Sequence, residues 1–199
     1  MTKNSKTLYL TQMGMLIAII IVLTVTNIGN IPIGPIVATI YHIPVIIGAV
    51  LLGPKAGALL GGLWGFLGFY LVLTGQTTSI VAMTVIQYSA VVYFVISVIP
   101  RILTGLLSGY VFILSQRFWG KDSAFCFGLA GAVGALCNTT FYLGFLYILA
   151  KPLVAEALKI NLDAVASFII GVVCINGVAE AILAAVIVTA VCKSMRYFK

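Results

Sequence analysis

Gly29-Asn30-Ile31-Pro32-Ile33-Gly34-Pro35 and Leu52-Gly53-Pro54-Lys55-Ala56-Gly57 are the two stretches that decide the fold of this chain. Both are rich in Gly and Pro and lie between apolar segments, with Tyr41-His42-Ile43-Pro44 between them. Proline cannot continue a helix interior, so Gly53-Pro54 predicts a break between two helices. The first stretch predicts a rigid polar loop at one membrane face, which is a suitable place to hold or cover a small molecule.

The composition predicts an integral membrane protein. Of the 199 residues, 62% are hydrophobic and 8% are charged, whereas a soluble domain is about 45–50% apolar and about 25% charged. The apolar run 8–28 is as long as a membrane span and has no small-residue cleavage site behind it. We therefore interpret it as a retained first helix and not as a signal peptide. A single transmembrane domain over 1–199 is expected.

The apolar runs predict an all-α protein with six transmembrane helices. Segment 80–98 is ambiguous, because it is apolar enough to span but carries polar residues and ends at Pro100-Arg101. The predicted helices are 8–28, 41–52, 54–73, 101–118, 123–150 and 164–192.

Positive charges resolve the ambiguity. If 80–98 does not cross, eight of the eleven basic residues share a face with both termini, which the positive-inside rule makes cytoplasmic. If it crosses, the bias reverses. We therefore expect 75–98 to be a long outward-side loop or re-entrant hairpin that lines a cavity and acts as a lid. The net charge of +7 reflects this orientation and not nucleic-acid binding. The eight residues are Lys3, Lys6, Lys55, Arg117, Lys121, Lys193, Arg196 and Lys199.

Small residues at four-residue spacing predict close helix packing. Glycine recurs at every fourth position from Gly53 to Gly65, and helices four and five carry similar pairs. Such faces are typical of internal helix contacts in lipid. Gly14 and Ala18 form one pair in an otherwise bulky first helix, where either internal packing or docking of another membrane subunit explains them equally well.

Polar side chains within spans are costly and therefore mark candidate binding residues. Glu180 is the one acidic residue deep in a predicted span, and Asn176 shares its helix face. Arg101 can hold an anionic ligand, pair with Glu180 or anchor its helix, and we favour the last two together. Interhelical hydrogen bonding explains each residue singly, but their clustering near one membrane side predicts a ligand pocket. The candidates are Asn27, Trp64, Gln87, Tyr88, Arg101, Asn138, Thr139, Tyr142, Asn176 and Glu180.

Motifs for catalysis are missing. The sequence contains no GxxxxGK[ST], HExxH or GxSxG, so we expect neither P-loop ATP binding nor enzymatic activity in this chain. The lone His42 and four scattered cysteines form no metal-ligand pattern. We therefore expect no metal and no cofactor.

Four stretches carry a family likeness: Ile31-Pro32-Ile33-Gly34-Pro35, His42-Ile43-Pro44, the run 51–57 and the run 99–105. In these, and over nearly its whole length, the chain resembles the substrate-binding S components of energy-coupling factor (ECF) vitamin transporters. The resemblance implies six helices in the cytoplasmic membrane of a bacterium, enclosing a ligand near the outer face under loops one, three and five. It also implies that the S component topples in the membrane to release its cargo.

The resemblance further implies partners and a ligand. Gly14 and Ala18 correspond to the small residues that contact a transmembrane coupling subunit, with Gly in place of the usual Ala, and two ATPases drive transport. The first loop and helix three are most similar to the pantothenate binders, although only Arg101 obviously meets a carboxylate. The alternatives are a hydroxymethylpyrimidine- or pyridoxine-like ring stacked on Trp64 or Tyr88, a stand-alone transporter with Glu180 as its proton site, a membrane enzyme, or a purely structural subunit.

Overall fold

The computed structural model describes residues 3–33, 36–77, 79–120 and 123–197. Gly34 and Pro35 of the opening stretch lie outside the described residues, as do Thr78, Lys121 and Lys199. In chain order, the elements of the described residues are α1 Lys3–Thr26, β1 Asn30–Ile33, β2 Ile36–Thr39, α2 His42–Leu52, α3 Pro54–Leu73, α4 Ile80–Tyr88, α5 Ala90–Trp119, α6 Ala124–Leu158, α7 Ala164–Val172, a π-helical turn Val173–Gly177 and α8 Val178–Tyr197.

The structure is that of a multi-pass membrane protein. Within the described residues, five helical segments are long and apolar enough to cross a bilayer. The eleven-residue α2 is apolar but short, since it extends over about 17 Å of a hydrocarbon core that is about 30 Å thick. Its residues from His42 to Val50 are all buried, so α2 lies inside the protein. The five segments are 6–26, 54–73, 90–119, 124–158 and 164–195.

The Gly53-Pro54 break is confirmed. Gly53 has φ 100° and ψ 167°, a conformation that favours glycine, and Pro54 opens α3. The predicted limits of the second and third helices differ from the observed ones by at most one residue.

The first loop is more regular than expected. Residues 30–33 and 36–39 pair as an antiparallel hairpin in which Asn30 lies opposite Thr39. A further backbone bond from Ile40 N–H to Gly29 O, 2.9 Å long, closes its base. This hairpin was not predicted, because its strands are only four residues long and β1 contains Pro32.

The expectation of a loop was wrong for 80–88 and 90–98, which are helical, whereas a re-entrant hairpin stays a prediction. Ile80–Tyr88 forms α4, and α5 begins at Ala90 and continues through Pro100 to Trp119. Two serines provide the physical reason, because Ser79 Oγ accepts from Ala82 N–H and Ser89 Oγ accepts from Val92 N–H, each at 3.3 Å. Side-chain caps of this kind start helices.

The two helices respond differently to an internal proline. Helix α6 is kinked near Pro152, whereas α5 continues through Pro100. The predicted helix boundary at Pro100 was wrong, since neighbouring helices can stabilise a membrane helix around a proline. In α6, Ala150 has φ −139° and ψ 18°, two residues before Pro152. The predicted end at 150 is therefore a kink, and the helix resumes to Leu158. The predicted sixth helix is divided by the π-helical turn into α7 and α8.

The buried apolar side chains form two clusters. One surrounds α2 and includes Ile20, Ile46, Leu60, Phe127 and Val188. The other lies around α4 and the kinked end of α6 and includes Val72, Val85, Ile96, Val154 and Val165.

The glycine face of α3 packs directly on the backbone of α5, as predicted. This helix pair shares the most extensive contact among the described elements. A Cβ built on Gly57 would lie 2.6 Å from the carbonyl oxygen of Gly105, and one on Gly61 would collide with the carbonyl of Arg101. Only glycine permits this approach.

The small pair on α1 faces outward. Gly14 and Ala18 are exposed, and a Cβ added at Gly14 would meet nothing within 4 Å. Of the two explanations left open by the sequence, internal packing does not apply to the described structure.

These contrasting glycines give a stability prediction. Gly61→Ala should destabilise the protein by about 1–3 kcal/mol, because the added methyl overpacks the α3–α5 contact. Gly14→Ala is the matched control and should leave stability unchanged or slightly higher, because its methyl points into open space. Apparent melting temperatures in detergent measure both. Equal melting temperatures for the two variants would contradict the tight α3–α5 contact.

Candidate functional site

A polar cavity of about 630 Å³ lies where the end of α1, the end of β2 and the connection 74–79 meet helices α3, α5 and α6. This volume is typical of small-molecule sites, which are about 300–1,000 Å³. Five of the predicted pocket residues line it: Asn27, Trp64, Arg101, Asn138 and Tyr142.

Arg101 is the central side chain of the cavity. Its guanidinium carbon lies 4.5 Å from the centre of the Trp64 ring and 5.4 Å from that of Tyr142. Its Nη1 donates to the Ser97 carbonyl oxygen and, at 3.2 Å, to Ser97 Oγ. The buried Nε has no hydrogen-bond partner among the described residues. The guanidinium is therefore oriented but retains free donor capacity.

The charge of Arg101 has no counter-ion in the described part of the chain. No acidic side chain is among the described residues that line the cavity. The expected pairing with Glu180 was wrong, because the hydrogen bonds of that carboxylate go to Thr39 and Thr139. A buried charge without a partner is costly. The arrangement suits a ligand that brings its own negative charge.

Aromatic and amide groups complete the wall. Tyr41 stacks near Trp64, with 6.1 Å between ring centres. Its hydroxyl donates to Asn27 Oδ1 over 2.8 Å. This bond holds Tyr41 next to the C-terminal end of α1. Asn138 reaches the cavity from α6, and Gln76 reaches it from the connection after α3. The site thus offers amide donors and acceptors next to aromatic surface.

The other predicted residues lie outside the cavity lining. Gln87 and Tyr88 are exposed on α4, where 71% of the Tyr88 surface is accessible. Asn176 is in the π-helical turn. Thr139 and Glu180 are buried behind the wall and hydrogen-bonded to each other over 2.9 Å.

Several lining residues escaped the sequence analysis. Thr39, Tyr41, Gln76 and Tyr93 all line the cavity. Thr39, Tyr41 and Gln76 lie at the ends of apolar segments, next to polar or proline-rich stretches. Their convergence depends on the hairpin and on α5 starting at Ala90, neither of which was predicted.

A second cavity, of about 240 Å³, lies between α1, α2 and α8. It is lined by apolar side chains apart from Gln12, so it offers no charge to orient a polar ligand. Within the described residues, no group of three or more His, Cys, Asp and Glu side chains is placed to hold a metal ion. We therefore place the candidate site in the polar cavity.

The unpaired guanidinium predicts a positive potential in this cavity. In a protein whose four native cysteines are replaced by alanine, Asn138→Cys should react several-fold faster with an anionic than with a cationic methanethiosulfonate reagent. Adding Arg101→Gln should abolish this preference. A rate ratio that is the same with and without Arg101 would contradict the predicted field.

Comparison with known proteins identifies the family. The family described as "ECF transporter, substrate-specific component" matches residues 8–192. Pantothenic acid transporter PanT of Lactococcus lactis subsp. cremoris is 29% identical over 201 residues, covering 95% of this chain and 94% of the relative. Pantothenate transporter PanT of Leuconostoc mesenteroides subsp. mesenteroides is 29% identical over 203 residues, covering 94% of this chain and 92% of the relative. The chain therefore belongs to the family of substrate-specific components of ECF transporters.

Proposed function

We propose that this protein is the high-affinity binding subunit of an ATP-driven importer of pantothenate. The observation that carries the proposal is the oriented guanidinium of Arg101, which has no counter-ion among the described residues and lines a cavity of suitable size. Both relatives are named as transporters of this vitamin. Pantothenate is a small carboxylate, so its binding would neutralise the buried charge.

The remaining groups of the ligand have partners in the same wall. Pantothenate carries hydroxyl and amide groups, which a buried site must pair with donors and acceptors. Asn138 and Gln76 supply both kinds of group, and Leu71 and Val72 supply apolar contact for the carbon skeleton. Together with Arg101 these residues would orient the ligand in one direction.

The ring-shaped alternatives fit less well. A hydroxymethylpyrimidine- or pyridoxine-like ligand brings no carboxylate, so the charge of Arg101 would remain uncompensated. Stacking on Trp64 competes with Arg101 and Tyr41, which already contact that ring. Stacking on Tyr88 has no support either, since Tyr88 is exposed on α4.

The stand-alone transporter has no observation in its favour. It would use Glu180 as a proton site, but this residue is 5% exposed and both carboxylate oxygens accept hydrogen bonds. Proteoliposomes that contain only this chain separate the two functions. We expect no uptake driven by a proton gradient, because energy comes from separate ATPase subunits. The chain itself is then non-catalytic.

We propose six membrane spans in a bacterial cytoplasmic membrane, with the short, buried α2 as the sixth and both termini inside. The excess of basic residues on the terminal face supports this orientation. With the start of α1 inside, Asn27 and the hairpin lie at the outer face, so the polar cavity would open outward. The α4 segment would then cover the outer side without crossing.

The outward small patch of α1 suits the coupling subunit. Gly14 and Ala18 are exposed on α1, whose most apolar part is only 17% buried. Small residues allow close approach of a partner helix in lipid. We propose that this patch docks the transmembrane coupling subunit, which carries two ATPases.

The carboxylate assignment is tested with a neutral analogue. Arg101→Gln should weaken pantothenate binding roughly 30-fold or more, because removing one partner of a buried charge pair costs about 2–5 kcal/mol. Panthenol, in which an alcohol replaces the carboxylate, should bind the wild type weakly and the variant with little change. Calorimetry on the purified chain measures both ligands. An equal loss for pantothenate and panthenol would mean that Arg101 does not bind the carboxylate.

The docking assignment predicts a separation of binding from transport. Ala18→Trp should abolish co-purification with the coupling subunit and uptake by cells, because the indole prevents close helix contact, while pantothenate binding persists. Ile182→Trp is the control, since Ile182 is also exposed but lies on α8. Normal assembly of the Ala18→Trp variant would remove the patch from the interface.

A further inference from the structure

Thr39 is the residue that connects the β-hairpin to the cavity, among the hairpin residues whose side chains the structure describes. Thr39 ends β2, lines the cavity and immediately precedes the turn into α2. Outside its own ladder, β2 packs against the π-helical turn and α8. The position of the hairpin base therefore depends on how Thr39 is held against these helices.

Glu180 holds Thr39 by two hydrogen bonds to one carboxylate oxygen. The backbone N–H of Thr39 donates to Glu180 Oε1 over 2.8 Å, and its hydroxyl donates to the same oxygen over 2.6 Å. Hydrogen bonds to a charged acceptor are shorter and stronger than those between neutral groups. Both hydrogen bonds that Thr39 donates to the helices therefore end on Glu180.

The other oxygen of Glu180 is fixed to α6. Thr139 Oγ1 donates to Oε2 over 2.9 Å, and Thr139 follows Asn138, which lines the cavity. Glu180 itself is 5% exposed and does not line the cavity. The carboxylate thus connects β2 with α6 through hydrogen bonds that lie outside the cavity lining.

The backbone just before Glu180 lies next to both elements that its carboxylate bonds, β2 and α6. The π-helical turn Val173–Gly177 lies just before it and contacts β2. At Gly177, the last residue of this turn, an added Cβ would lie 3.6 Å from Thr139 Cγ2, an ordinary van der Waals distance, so the turn packs against α6 at the anchoring threonine. π-Helical turns are frequent at functional sites.

We propose that Glu180 is a positioning residue that latches the hairpin over the cavity and thereby slows ligand release. The effect on the ligand rests on the proposed function, whereas the effect on the hairpin does not. Release of the two Thr39 hydrogen bonds would free the hairpin base and open the adjacent wall.

Hydrogen exchange in the ligand-free protein tests the latch. Glu180→Leu removes the acceptors and should raise the exchange rate of amides 29–40, with the Thr39 N–H most affected. Glu180→Gln keeps an oxygen that can face Thr39 and should stay close to wild type. A purely packing role would treat Leu and Gln alike, because both are similar in size to Glu. Unchanged exchange in Glu180→Leu would overturn the latch.

Thr39→Val and Thr139→Val test separately the bonds of Glu180 to the hairpin and to α6. Thr39→Val removes one of the two hairpin bonds and should give a smaller increase in exchange of 29–40 than Glu180→Leu. Thr139→Val leaves both hairpin bonds in place and should affect these amides least. The reverse order would overturn the assignment of the latch to Thr39.

Dissociation of radiolabelled pantothenate tests the consequence for the ligand. Glu180→Leu should release it about tenfold faster, the factor that corresponds to about 1.4 kcal/mol, and Glu180→Gln should release it near the wild-type rate. Faster hairpin exchange with an unchanged off-rate would overturn the gating role. Failure of the wild type to bind pantothenate would contradict the proposed ligand while the exchange result still decides the latch.

Discussion

The close contact between α3 and α5 is the constraint on which the rest of the structure depends. Glycine at 57 and 61 lets the two backbones touch, so the carbonyl of Arg101 lies directly against α3. One turn further along α3, Trp64 then lies under the guanidinium of Arg101 at 4.5 Å. A bulkier α3 face would move α5 away, and the charge would lose both its aromatic neighbour and its place in the cavity wall.

The two buried charged side chains near the cavity, Glu180 and Arg101, differ in how far the protein compensates their charge. Glu180 receives three hydrogen bonds from Thr39 and Thr139, so its carboxylate is satisfied within the protein. Arg101 is oriented by Ser97 and by two rings, but it has no counter-ion among the described residues. The satisfied charge fits the positioning role proposed for Glu180, and the uncompensated charge fits the ligand-binding role proposed for Arg101. This contrast separates the positioning residue from the proposed ligand-binding residue.

The sequence predicted a polar pocket between the helices, but it predicted only some of the residues that line it. Of the residues predicted from the sequence, five line one cavity: Asn27, Trp64, Arg101, Asn138 and Tyr142. The same prediction also included Gln87 and Tyr88, which are exposed on α4. Polarity in an apolar segment indicates that a side chain has a reason to be there, but it does not distinguish a ligand contact, an interhelical bond and an exposed surface.

Composition and spacing by themselves determined the membrane class, the Gly53-Pro54 break and the packing face of α3, because hydropathy, proline and glycine act locally. The family likeness came from the resemblance of four sequence stretches. Only the tertiary structure decided that residues 30–33 pair with 36–39 and that Glu180 bonds Thr39 instead of Arg101. These features join residues up to 141 positions apart in the chain. Contacts over such separations depend on how the helices pack, which no local pattern of residues encodes.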